Sequence, residues 1–258
     1  MMIMARILTM INLKGGSGKT TTSVNLSASL AIAEKKTLLI DCDPQGNATI
    51  GLGIDKRSLK KSFYHTMING QISTDNILDT NLEYLKIIPS RIETIRAELQ
   101  LADQPDKEII LQKAISSVSD HFDYIILDTS PSIGLLTVNA LVASTDFIIP
   151  LPCEFYALET LGQVLKTIKL IRGQYNPSLR FLGILLSMFQ ENEEISSHIA
   201  QEVKTYLQEK VFNTVIPYDI TLKESPSHGK SVLLLDIKSI GAQRFLMLAN
   251  EIINKKFD

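Results

Sequence analysis

Eight consecutive residues, Lys14-Gly15-Gly16-Ser17-Gly18-Lys19-Thr20-Thr21, bring three glycines, two lysines and three hydroxyls together. Glycines let the backbone curl until successive N–H groups point at one anion. An apolar stretch, Ile3 to Ile11, leads into the run, and a helical pattern, Thr21 to Ala33, follows it. A strand, a glycine loop and a helix start, in that order, make a phosphate site, because the helix N-terminus adds unpaired N–H groups and the positive end of its dipole. Lys19 is expected to reach the β- and γ-phosphates of a nucleotide, and Thr20 to offer its hydroxyl to Mg²⁺.

Two acidic segments complete the chemistry. Asp41-Cys42-Asp43-Pro44-Gln45-Gly46-Asn47-Ala48-Thr49 follows a short apolar run. Its carboxylates stand where an open α/β sheet puts its ligand crevice, and their i, i+2 spacing points both to one side if the strand is still extended there. One carboxylate then helps organise the Mg²⁺ shell and the other orients a water. In Tyr124-Ile125-Ile126-Leu127-Asp128-Thr129-Ser130-Pro131, four apolar residues end in an aspartate. A buried strand of this kind carries its carboxylate to a metal, directly or through water.

The elements that must position these groups alternate. Expected strands are Ile3–Ile11, Thr37–Cys42, Tyr84–Ile88, Tyr124–Leu127, Phe147–Leu151, Phe181–Met188 and Thr214–Ile216. Helical periodicity lies between most of them, as in Leu158, Leu161, Leu165, Ile168 and Ile171. The expectation is an α/β fold with a mostly parallel twisted sheet and helices on both faces. At 258 residues, with 45% hydrophobic and 21% charged, the chain suits a single domain over 1–258, with no helix-turn-helix domain ahead of the loop. A net charge of −2 gives no global basic field, so a nucleic-acid contact has to come from a local patch. Cys42 and Cys153 are far apart, and His65, His121, His198 and His228 lack metal-ligand spacing. A reducing cytoplasm is the simplest setting.

The loop departs from the ordinary phosphate-loop pattern. The first glycine of that pattern falls on Leu13, and a second lysine, Lys14, stands before the paired glycines. This spelling resembles the deviant Walker A loop of the ParA/MinD P-loop ATPases. The resemblance covers nearly the whole chain. It includes Pro152 to Glu159 and the Ile216-Pro217 to Lys230 stretch, and it is nearest to short Soj-like partition ATPases. It implies ATP and Mg²⁺ as ligands, with Gly15, Gly16, Ser17, Gly18, Lys19, Thr20 and Thr21 around the phosphates. It implies an ATP-state homodimer in which Lys14 reaches the partner's nucleotide. Asp43 would position the attacking water, Asp41 and Asp128 would support the metal with Thr20, and the adenine would sit near Met188 and Pro217. Turnover is expected to be slow until a ParB-like protein stimulates it.

Departures from the family pattern concern DNA. Three family positions for arginines associated with nonspecific DNA binding hold Asn192, Tyr218 and Thr221 here, and Glu191, Glu193 and Glu194 surround the first. Nonspecific binding is mostly phosphate neutralisation, so this loss should weaken it severely. Basic candidates that remain are Lys166, Lys169, Arg172, Arg180, Lys223, Lys230 and Arg244, and Lys166, Lys169 and Arg172 fall near one face of one helix.

Three functions compete at this point. The first is a partition switch whose ATP dimer binds DNA. The second is a MinD-like or cargo-positioning ATPase on a protein or membrane matrix. The membrane version rests on a final amphipathic helix, Ser239 to Phe257, with its basic Lys255-Lys256 end, and the expectation is that this helix packs on the sheet instead. The third is a redox protein like the nitrogenase iron protein, which needs a cysteine soon after Asp128 where Thr129-Ser130-Pro131-Ser132 stands.

Overall fold

A computed structural model describes residues 5–255. Seven strands form one sheet: β1 (Arg6–Met10), β2 (Thr37–Asp41), β3 (Leu78–Asp79), β4 (Leu85–Ile88), β5 (Tyr124–Asp128), β6 (Asp146–Pro152) and β7 (Arg180–Ser187). Their order is β3-β4-β2-β5-β1-β6-β7, and every pair is parallel except β3 with β4. All residues of β2 and β5 are buried, as their near-continuous apolar runs require in a sheet covered on both faces. β1, which feeds the glycine loop, lies between β5 and β6, so the loop emerges at the middle of the sheet.

The helices are α1 (Lys19–Ile32), α2 (Asn47–Gly51), α3 (Phe63–Asn69), α4 (Ile95–Leu101), α5 (Ile110–Ser116), α6 (Leu135–Ala143), α7 (Ala157–Gln174), α8 (Glu194–Leu207), α9 (Ile220–Glu224), α10 (Val232–Leu235) and α11 (Ile240–Asn254). Strand alternation sends Leu8, Leu39 and Ile126 into a core with α1 and α11. Ile40, Ile125 and Leu127 enter a second core with α3 to α6, and Phe147, Ile149 and Ile184 a third with α7 and α8. Phe245, Leu248 and Ile252 of α11 are fully buried against this first core. Lys255 then donates to the Leu182 carbonyl and stands over the Phe212 ring, so the end of α11 is tied to the sheet. No described helix is long and apolar enough to cross a membrane.

Several expectations change. The first strand is shorter than Ile3–Ile11, and its opening residues before Ala5 lie outside the described residues, as do Lys256 and Phe257 of the expected last helix. Helix α1 begins at Lys19 and not at Thr21, because Gly18 takes the left-handed conformation that ends the loop. Thr214–Ile216 is not a strand. It runs beside β7 with single contacts, Ile216 N–H to the Leu186 carbonyl among them, and Pro217 has no N–H with which to continue a ladder. The two-residue β3 was not expected.

Candidate functional site

The glycine loop is anchored at its first turn by Asn12. Its amide donates to the Pro150 carbonyl at 2.7 Å, and its Oδ1 accepts the Lys14 N–H at 3.0 Å, which fixes the loop to β6. Gly16 (φ 73°) and Gly18 (φ 87°) occupy the left-handed region that side chains avoid. The chain then enters α1, whose first N–H groups have no partner within the helix. Lys19 is 6% exposed and its Nζ folds back to the Lys14 carbonyl at 3.3 Å. Burial lowers its pKa, while Asp128 and Asp43 oppose the shift.

Below the loop, Asp128 ends β5 and accepts the Thr20 hydroxyl at 2.9 Å and the Ser23 hydroxyl at 2.8 Å. Asp41 ends β2 directly beside it, paired in register with Asp128. Both are fully buried. Burial pushes Asp41 up to about 8, with the Asp128 charge adding to the shift. Burial likewise pushes Asp128 up to about 6, against its two hydroxyl donors.

Asp41 and Asp43 do not form a same-side pair, because β2 stops at Asp41. The Asp43 N–H turns back to Asp41 Oδ1 at 3.2 Å, and Asp43 Oδ1 accepts the Gln45 N–H at 2.9 Å. Asp43 lines the phosphate-loop cavity, whereas Asp41 Oδ2 faces Thr49, accepting its N–H at 2.8 Å and its hydroxyl at 2.7 Å. Thr49 Oγ1 in turn accepts the Ser90 N–H at 2.8 Å. The segment after β2 is thus tied through Thr49 to the end of β4.

Two cavities adjoin. One, of about 380 Å³, is lined by Gly15 to Thr21 together with Asp43, Gln45, Asn47, Thr129, Pro131 and Met188. The other, of about 360 Å³, shares Gly18, Thr21 and Met188 with it and is closed by Ile216, Pro217, Tyr218 and Phe245. Met188, Pro217 and Tyr218 line this second cavity together. Lys14 is held away from the first cavity's interior, its Nζ 2.5 Å from Glu154 Oε1. Asn192 is exposed and lines neither cavity, and Thr221 donates its N–H to Asp219 at the start of α9.

The donor set suits a divalent cation. Thr20 presents a hydroxyl backed by Asp128, and a cation would relieve the burial of two neighbouring carboxylates. Sequence reasoning missed Asn12, Ser23, Thr49, Ser90 and Glu154. The only signal for Asn12 was a lone amide between Ile11 and Leu13. Ser23 and Thr49 sit in quoted stretches but gain their roles from partners 105 and 41 residues away.

A family model described as an AAA domain matches residues 5–181. The chain is 45% identical over 249 residues to the sporulation initiation inhibitor protein Soj of Bacillus subtilis (strain 168), covering 96% of this chain and 98% of that one. It is 43% identical over 250 residues to the chromosome partitioning protein ParA of Myxococcus xanthus, covering 97% and 88%. Among solved structures, cobyrinic acid a,c-diamide synthase from Mycobacterium smegmatis with bound ADP and magnesium matches with a TM-score of 0.84 at 30% identity, covering 97% and 94%.

Proposed function

The chain belongs to the Soj/ParA family of chromosome-partitioning ATPases, and from that premise we propose that it is an ATP-driven dimerisation switch acting in chromosome or plasmid partition. The observation that carries this reading is the separation of its two loop lysines. Lys19 is buried in its own cavity, while Lys14 stands at the rim on a half-exposed glutamate, available to a second copy's nucleotide.

In this reading ATP lies across the two adjoining cavities, its base by Met188 and Pro217 and its phosphates on the loop. Thr20, Asp128 and Asp41 would hold Mg²⁺, which supplies charge neutralisation at the phosphate oxygens. Lys19 stabilises charge on the transferring phosphoryl group, and Asp43 orients the attacking water. The residues do little covalent chemistry, so basal turnover is slow and a ParB-like partner accelerates it. The ATP dimer binds nonspecific DNA.

Turnover and ATP-dependent dimerisation of three variants test this. Lys19→Ala should abolish nucleotide binding. Lys14→Ala should bind ATP and fail to dimerise. Asp43→Ala should accumulate as an ATP-bound dimer; ready hydrolysis by that variant would overturn the role given to Asp43.

A second reading has its own observation. The exposed Glu191-Asn192-Glu193-Glu194 segment and half-exposed Tyr218 occupy the surface where the family pattern has arginines, and this favours a positioning ATPase on a protein matrix. DNA binding by the ATP-bound dimer separates the two.

A further inference from the structure

We infer that the duplex-binding surface of this protein has moved to helix α7, where Lys166, Lys169 and Arg172 contact DNA phosphates. The inference rests on the partition reading and names the surface which that reading leaves open.

Many of the other cations are already engaged. Arg57 is paired with Asp55, Lys61 with Asp75, Lys86 with Asp79, Lys113 with Asp106, and Arg180 with Asp146. Lys56 donates to the Gln45 carbonyl. Around α9 to α11, Lys223, Lys230 and Arg244 are interspersed with Glu224 and Asp236, and the acidic segment at 191–194 adds like-charge repulsion for DNA. Each of these sets has a carboxylate or carbonyl partner, or carboxylates close by in sequence.

α7 differs. From Thr160 to Gln190 the chain has no aspartate or glutamate. Within that stretch Lys166, Lys169 and Arg172 are all exposed, at i, i+3 and i+6 on one helix side, and none makes an ion pair among the described residues. They span a rise of about 9 Å, over which duplex DNA carries about five phosphates. Lys169 and Arg172 also border a groove of about 410 Å³ whose other lining residues, Phe147, Leu165, Ile168, Gly173, Pro177 and Phe181, carry no charge, so nothing there repels an anion. Gly162 and Gly173 add no side chain to the helix surface and meet nothing within 4 Å, which leaves the approach open. The same helix begins three residues after Glu154, the partner of Lys14, so the patch follows directly on the turn that touches the nucleotide loop.

The test uses full-length Asp43→Ala protein with ATP and Mg²⁺, titrated with a random-sequence duplex across a monovalent salt series. Light scattering reports the dimer in parallel. In that background Lys166→Gln/Lys169→Gln/Arg172→Gln should keep the dimer and lose DNA affinity, with a log–log salt slope shallower by about five. Lys169→Gln alone should make it shallower by about two. This single change keeps the test valid if the triple variant melts early. A Lys230→Gln control should bind as the background does. Unchanged affinity and slope in the α7 variants would overturn the inference and leave the partition reading standing. A background dimer that binds no DNA at any salt would remove both the inference and the DNA part of the reading.

Discussion

Lys14 Nζ and Glu154 Oε1 lie 2.5 Å apart, with both side chains about two-fifths exposed. An ion pair that open to solvent contributes no more than about 1 kcal/mol. It is enough to park the lysine and too weak to trap it. Glu154→Gln should therefore leave the fold intact and strengthen ATP-dependent dimerisation, by up to about fivefold for each pair broken. Sedimentation at several protein concentrations measures this. Weaker dimerisation in Glu154→Gln would mean that the glutamate works inside the dimer and does not restrain its formation.

Thr49 should matter to hydrolysis although it lines neither of the two adjoining cavities. Its hydroxyl donates to Asp41 Oδ2 and accepts from the Ser90 N–H, holding the segment that carries Asp43. Thr49→Val keeps the shape and orphans a buried N–H, at a cost of about 1–3 kcal/mol. For a chain of this size that is a melting temperature lower by about 2–6 °C. The expected kinetic signature is a lower kcat with nearly unchanged KM for ATP, restored by Thr49→Ser. A Val variant that melts early yet turns over normally would confine Thr49 to stability.

The sheet and the loop were legible because their signals are local. Tyr124 to Asp128 is a run of apolar residues ending in a charge, and Lys14 to Thr21 is contiguous. What escaped depends on contacts distant in sequence. Asp41 and Asp43 read as a same-side pair, yet one faces Thr49 and the other a cavity, since β2 ends between them. Thr214–Ile216 has strand composition but follows β7 too briefly to build a ladder. Glu154 lies 140 residues from its lysine, a separation that no pattern in the chain reports.

The carboxylate pair predicts a pH dependence of stability. Folding raises Asp41 from 3.8 to about 8 and Asp128 from 3.8 to about 6. A raised folded-state pKa gives stability that is complete below the unfolded value and lost as pH rises through the folded one. Asp41 should therefore lower nucleotide-free stability between about pH 4 and 8, and Asp128 between about pH 4 and 6, at most about 1.4 kcal/mol per pH unit for each. Asp41→Asn removes the larger share, so the difference in melting temperature between wild type and this variant should widen towards pH 8. Mg²⁺ with ATP should narrow it. A difference constant across that range would show that Asp41 does not titrate there.

Gly46 and Gly70 share a φ of 63° but not their surroundings. A Cβ on Gly46 would lie 2.6 Å from the Ser90 carbonyl oxygen and 2.7 Å from Lys56 Cδ, whereas one on Gly70 meets nothing within 4 Å. Gly70→Ala should then cost only the left-handed backbone penalty, about 1–2 kcal/mol, and leave turnover unchanged. Gly46→Ala carries the same penalty and must also push the Asp43–Gln45 turn off the end of β4, since the Lys56 arm can move and the Ser90 backbone cannot. It should cost more stability than Gly70→Ala and depress ATP turnover at least tenfold, with nucleotide binding retained because Gly46 does not line the phosphate-loop cavity. Thermal melts and single-turnover hydrolysis of the two variants side by side measure this. Equal losses in both would mean that the turn absorbs the added methyl group, and that its seat on Ser90 does not govern where Asp43 stands.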